Sequence, residues 1–233
     1  MNLLFRHIML CLMFFVVTCS CETHQNSTNR LPEDSDKIST AISDVTGNGY
    51  AYWDLLGYQK GEKLPDFTLR NINGERFNLY ETLKLGKPVM LITGSTTCDH
   101  TRKNLNSINA FTNKYSNKLS IYIIYTQEAH PCDAISPYSL NHEIWESKAN
   151  IRDHVKASQP RTYGERKALA SKWQKTYKVQ PTVLIDNPGN DSWKTLGQAP
   201  NMMYLIEPDG NVYYKQVWAQ MEEVEGVATE LVK

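Results

Sequence analysis

The sequence predicts an α/β domain whose central mixed, mostly parallel sheet carries helices on both faces. Three observations carry this. First, the continuous apolar runs Pro88–Thr93, Leu119–Tyr125 and Thr182–Asp186 have the character of buried parallel strands. Second, segments of helical period lie between them, and strands alternating with helices give parallel units. Third, hairpin signals stand at both ends: Asn73-Gly74, and the turn Pro208-Asp209-Gly210.

The first 21 residues stand apart from this pattern. Arg6 and His7 precede an apolar stretch from Ile8 to Val17, then Thr18-Cys19-Ser20-Cys21. A basic start, a short apolar core and small residues make a secretory signal, too short for a comfortable membrane span. Ending on cysteine, it resembles a bacterial lipoprotein signal with Cys21 as the lipidated residue. An uncleaved anchor and an ordinary signal are the competing readings. The lipoprotein reading places the protein outside the cytoplasm, on the cell membrane or outer membrane, facing the periplasm or cell surface. Residues 22–46 are polar and read as a flexible tether, leaving 47–233 as the domain.

Within the domain, Asn73-Gly74 joins a strand near Thr68-Leu69 to a return strand at Phe77–Leu79. A short helical turn ends at Leu83–Lys87, and Pro88–Thr93 follows as a strand. Residues 101–114 place Leu105, Ile108, Phe111 and Tyr115 at helical spacing. After strand Leu119–Tyr125, residues 134–162 lack a clear period and read as an insertion. Glu165–Tyr177 is helical, with Leu169, Trp173 and Tyr177 on one face. Thr182–Asp186 is the third buried strand. Met202–Ile206 and Val212–Val217 form the second hairpin, and a last helix runs from Met221 to Val232. This order is that of a thioredoxin-like fold in its peroxiredoxin-like elaboration.

The chain has 233 residues, 41% hydrophobic and 21% charged, enough for one domain of ordinary size. Lys plus Arg and Asp plus Glu number 25 each, so no basic footprint for nucleic acid exists. No set of His, Cys, Asp and Glu has metal-ligand spacing, and no glycine loop suits a phosphate. Of five cysteines, only Cys98 and Cys132 fall in the domain.

Two strand-end loops carry the candidate chemistry. Gly94-Ser95-Thr96-Thr97-Cys98 follows one strand and Glu128-Ala129-His130-Pro131 the other, and parallel neighbours deliver such loops to one sheet edge. Cys98 precedes a helix, whose free N–H groups and dipole favour a thiolate and lower its pKa. His130 is a general acid or base, and Glu128, two residues earlier, is placed to orient its imidazole. Cys132 is either a resolving thiol for oxidised Cys98 or half of a structural disulfide. Cys-Asp-His-Thr is no CxxC motif, because Thr101 holds the second position. The peroxiredoxin signature also fails, with Leu91 in place of its proline and Ser95 in place of its threonine. Tyr138 and Trp145, in the insertion, suit the wall of an aromatic substrate pocket.

These loops resemble the iodothyronine deiodinase family. Gly94-Ser95-Thr96-Thr97-Cys98 is similar to its Gly-Ser-x-Thr-selenocysteine motif. Tyr125-Thr126-Gln127-Glu128-Ala129-His130-Pro131-Cys132-Asp133 is similar to its Tyr-x-x-Glu-Ala-His-x-x-Asp motif. A looser likeness runs from about residue 60 to 220. The resemblance implies a reductive dehalogenase or related thiol reductase, with Cys98 at the selenocysteine position and His130 and Glu128 at proton-relay positions, Ser95 close by. It implies an external thiol as electron donor, no bound cofactor, and a small aromatic or halogenated substrate. Cysteine for selenocysteine, Asp99-His100 where the family tends to have prolines, and Ala134-Ile135 for Gly-Trp are departures. Pro200, before the strand at Met202, stands where thioredoxin-like folds keep a cis-proline, and Ala199–Pro200 is expected to be cis. A peroxiredoxin-like thiol peroxidase or disulfide reductase, and a non-catalytic surface binding module, are the alternative functions.

Overall fold

A computed structural model describes residues 35–45 and 53–233. Its strands are β1 (Thr68–Asn71), β2 (Arg76–Asn78), β3 (Val89–Gly94), β4 (Ser120–Tyr125), β5 (Thr182–Ile185), β6 (Met202–Ile206) and β7 (Val212–Val217). The helices are α1 (Leu79–Leu83), α2 (Asp99–Tyr115), α3 (Lys148–Arg152), α4 (Tyr163–Tyr177), α5 (Asp191–Thr195) and α6 (Met221–Leu231). The signal segment and Cys21 lie outside the described residues.

The strands form one sheet in the order β2-β1-β5-β4-β3-β6-β7. The expectation of a mostly parallel sheet is corrected here. Only β3, β4 and β5 run parallel, and every other pairing is antiparallel. The cause is legible in the connections. β3 and β4 are followed by helical crossovers long enough to return the chain parallel, whereas the outer strands come as tight hairpins.

Alternation along the strands builds a core on each face. Met90, Ile92, Ile121, Ile123, Val183 and Met203 point to the side covered by α2, α4 and α6. Val89, Leu91, Ile124, Leu184 and Tyr204 point to the other, closed by α1 and by Leu196 after α5. The predicted stripe on α2 is buried as expected, at Leu105, Ile108, Phe111 and Tyr115.

Two further expectations are overturned. Part of the proposed tether is docked on the domain: a 3-10 turn at Ser35–Lys37 leads into a segment up to Val45 that hydrogen-bonds to domain loops. Polar composition hid this, because the contacts use backbone groups and small polar side chains. No cis peptide occurs among the described residues, so Ala199–Pro200 is trans. The Thr93 hydroxyl donates to the Ala199 carbonyl (3.0 Å) and accepts the Met202 N–H (2.8 Å), which pins this run to the end of β3.

Candidate active site at the carboxyl edge of the parallel strands

Gly94 and Tyr125 are direct partners at the ends of β3 and β4, and the Thr126 N–H donates to the Gly94 carbonyl at 3.0 Å. The two predicted loops therefore leave the sheet side by side. Gly94 allows a close approach of α2, since a Cβ there would lie 2.9 Å from Thr101 Cγ2.

Cys98 is the N-cap of α2, and the Thr101 N–H donates to its sulfur at 3.4 Å. That helix terminus was anticipated, but its effect on the thiol is not the expected one. Cys98 is 1% exposed, in an apolar cluster with Ala129, Tyr138 and Trp193. Burial pushes the thiol up to about 11, and the Thr101 hydrogen bonds only partly oppose it. Cys98 is thus a neutral thiol at rest, a correction to the lowered pKa expected from the helix alone.

Glu128 is fully buried and faces Thr97. Its Oε2 accepts the Thr97 N–H (2.7 Å) and hydroxyl (2.6 Å), and its Oε1 accepts the Tyr125 hydroxyl. Burial raises the Glu128 pKa, and these donors counteract it. The expectation that Glu128 orients the imidazole is corrected. The His130 ring bonds through Nδ1 to the Trp145 carbonyl at 3.1 Å, and its edge meets the Trp145 ring. A carbonyl only accepts, so Nδ1 carries the proton and Nε2 of the neutral ring is the basic atom. Burial lowers the His130 pKa, which keeps the ring neutral.

Ser95 lies between the loops, accepting the Ala129 N–H at 3.3 Å. Cys98 and Cys132 are both free thiols. Cys132 is half-buried, and its N–H donates to the Ala157 carbonyl at 3.0 Å.

Sequence reasoning gave no role to several supporting residues. Thr97 ties the two loops together. Asn150, from the insertion, donates to the Thr97 carbonyl at 2.8 Å. Asp186, just past β5, accepts from the N–H groups of Ser192 and Trp193 (both 3.0 Å), and so fixes the start of α5 and the indole beside Cys98. Arg166 is buried, donating to the carbonyls of Asp186 (3.0 Å) and Asn187 (2.7 Å) and to Asn190 Oδ1 (2.6 Å). The available signal was a charged residue on the inner side of α4.

Aromatic side chains wall the site. Tyr138 donates to the Gln198 carbonyl (2.7 Å) and accepts from Trp193 Nε1 (2.9 Å). Trp53 meets Tyr138 edge-on at 5.9 Å and Trp218 at 5.1 Å, and Trp218 stacks on His100 at 4.0 Å. Trp218 holds a left-handed backbone (φ 67°), a costly conformation for a bulky residue. The predicted pair Tyr138 and Trp145 lines a surface pocket of about 380 Å³ with Leu140 and Ile144. Among the described residues, no group of three or more His, Cys, Asp or Glu is placed to hold a metal ion.

The iodothyronine deiodinase family model matches residues 51–227. The type I iodothyronine deiodinase of Xenopus laevis is 25% identical over 155 residues, 66% of this chain and 55% of that protein. The thioredoxin-like protein YneN of Bacillus subtilis (strain 168) is 27% identical over 129 residues, 49% of this chain and 75% of that protein. Among solved structures, a putative thiol:disulfide interchange protein DsbE from Chlorobium tepidum superposes with a TM-score of 0.52 at 19% identity, covering 76% of this chain and all (100%) of that one. A putative protein disulfide isomerase from Bacteroides thetaiotaomicron gives 0.51 at 20% identity, covering 76% and 93%. At these identities the structural likeness is one of fold, and the fold is thioredoxin-like.

Proposed function

Because the chain belongs to the iodothyronine deiodinase family, we propose that it is a thiol oxidoreductase acting through Cys98 on a small aromatic electrophile, with an aryl halide as the first candidate. One observation carries the reading: Cys98 caps α2 inside an aromatic enclosure, beside a loop that presents a neutral histidine. An apolar, water-poor enclosure suits an aromatic ring and favours attack by a desolvated sulfur.

The chemistry balances with an external thiol, RSH, as reductant. His130 Nε2 takes the Cys98 proton. The thiolate attacks the halogen X of Ar–X, the S–X bond forms, the C–X bond breaks, and the proton passes from His130 to the ring carbon. The first RSH displaces halide, giving a mixed disulfide, halide and a proton. The second RSH releases Cys98 as thiol and leaves RSSR. The sum is Ar–X + 2 RSH → Ar–H + RSSR + H⁺ + X⁻. Cys132 stands as the internal candidate for the first of these thiols.

The signal-like start supports an exported protein anchored through lipid at Cys21. Among the described residues no helix is long and apolar enough to cross a membrane.

The test is halide release from iodinated phenols with dithiothreitol, run beside peroxide consumption and insulin disulfide reduction. Release that disappears in Cys98→Ser supports the reading. Release retained in that variant ends it. Peroxide consumption alone moves the assignment to a thiol peroxidase, and silence in all three assays moves it to a binding module.

A further inference from the structure

The docked segment before the domain runs directly to the buried thiol. Val45 and Trp53 both pack against the cluster of Cys98, Ala129, Tyr138 and Trp193. The segment reaches that point without helix or strand of its own. Ser39 makes an isolated antiparallel bridge with Thr162. Thr40 donates its N–H to the Arg161 carbonyl (2.9 Å) and its hydroxyl to the Pro160 carbonyl (2.5 Å). The Ala41 N–H donates to the Pro188 carbonyl at 2.7 Å, and the Val45 N–H to the Pro137 carbonyl at 3.4 Å.

Its middle is clipped to the histidine loop. Ser43 N–H donates to Gln127 Oε1 (3.1 Å), and Gln127 Nε2 donates back to the Ser43 carbonyl (2.7 Å). Asn190, which also receives Arg166, donates to the Ala41 carbonyl (2.9 Å). Gln127 precedes Glu128 directly, so the clip sits on the loop that carries Glu128 and His130.

We propose that residues 39–45 form a strap that closes over Cys98, and that the strap lifts to admit a reactant to the thiol. The balance of forces fits a part that opens without unfolding the domain. Ser39, Ala41, Ile42 and Asp44 are exposed, so the strap buries little apolar surface of its own. It is held by scattered hydrogen bonds near the surface, the mark of a low-stability unit. Cys98 beneath it is fully enclosed, so a bulky reactant needs part of the enclosure to move. The inference takes Cys98 as the reactive group from the function proposed above, but its test measures access rather than turnover.

The full chain with Cys132→Ser is treated with iodoacetamide at fixed pH, and the rate of Cys98 modification is followed. Ala41→Pro removes the N–H that meets Pro188, and Val45→Gly strips the side chain over the cluster. Each is expected to raise the rate at least tenfold. As control, Cys132 is modified in a Cys98→Ser background carrying the same strap changes, where the rate stays within twofold. Rates at Cys98 within twofold of the parent overturn the strap. An equal rise at Cys132 overturns it too, because the domain as a whole has then loosened. Faster Cys98 modification in variants that release no halide from iodinated phenols keeps the strap and sinks the dehalogenase reading.

Discussion

Glu128 reaches His130 through the hydroxyl of Thr97. The Thr97 Oγ1 donates to the Glu128 carboxylate at 2.6 Å and accepts the His130 backbone N–H at 2.9 Å. The carboxylate thus sets where the histidine loop sits, while the Trp145 carbonyl sets which ring nitrogen carries the proton.

That linkage is measurable. Thr97→Val and Glu128→Gln each leave buried donors or acceptors unmatched and should cost roughly 2 kcal/mol in urea unfolding. The double variant should cost clearly less than the sum, because both changes break one network. A strictly additive double variant would contradict the shared network.

The thiol has a pH signature. With Cys132→Ser, Cys98 alkylation should rise steadily through pH 9 and 10, with a midpoint near 11. The stability sign follows from linkage. A thiol whose folded pKa lies above its unfolded value of about 8.5 stabilises the fold below that value. That contribution drains away as pH rises through about 11. A plateau in alkylation reached by pH 8 would refute this.

His130 has the opposite sign. Burial lowers its folded pKa below the unfolded value of about 6.5, so its neutral ring stabilises the fold above that pH. Stability is lost as pH falls through the folded value. His130→Gln should flatten the denaturation midpoint against pH just below 6.5, and an unchanged slope would exclude the assignment.

Arg166 is held by three oxygens in the interior. Arg166→Met should destabilise by about 3 kcal/mol, since three buried oxygen acceptors lose their donors. Replacement at no cost, read by guanidinium unfolding, would show that the network contributes nothing net.

Tyr138→Phe removes the acceptor for Trp193 Nε1. The expected loss is about 1–2 kcal/mol. Tryptophan fluorescence should shift as well, because that indole N–H then faces an apolar wall.

Much of the fold was legible because burial writes a period into sequence. The runs at Pro88–Thr93 and Leu119–Tyr125 and the stripe Leu105, Ile108, Phe111, Tyr115 announce strands and a helix. The meeting of the Cys98 and His130 loops followed from parallel pairing of β3 with β4. What stayed hidden depends on contacts far apart in the chain. Thr97 is an ordinary loop threonine until Glu128 and His130 close on it. Residues 39–45 look like a tether because they dock through backbone groups, which composition does not encode. The anchoring of the Ala199 run to the end of β3 rests on the Thr93 hydroxyl, a contact across 106 residues.

The neutral state of Cys98 has a further consequence in an oxidising surrounding. With a pKa of about 11, only about one molecule in ten thousand carries the thiolate at pH 7. Peroxide and stray disulfides react with thiolates, so the resting protein is less open to them than one with an exposed, ordinary thiol. The enclosure that raises the Cys98 pKa is therefore also what keeps the thiol in its reduced, unreacted form.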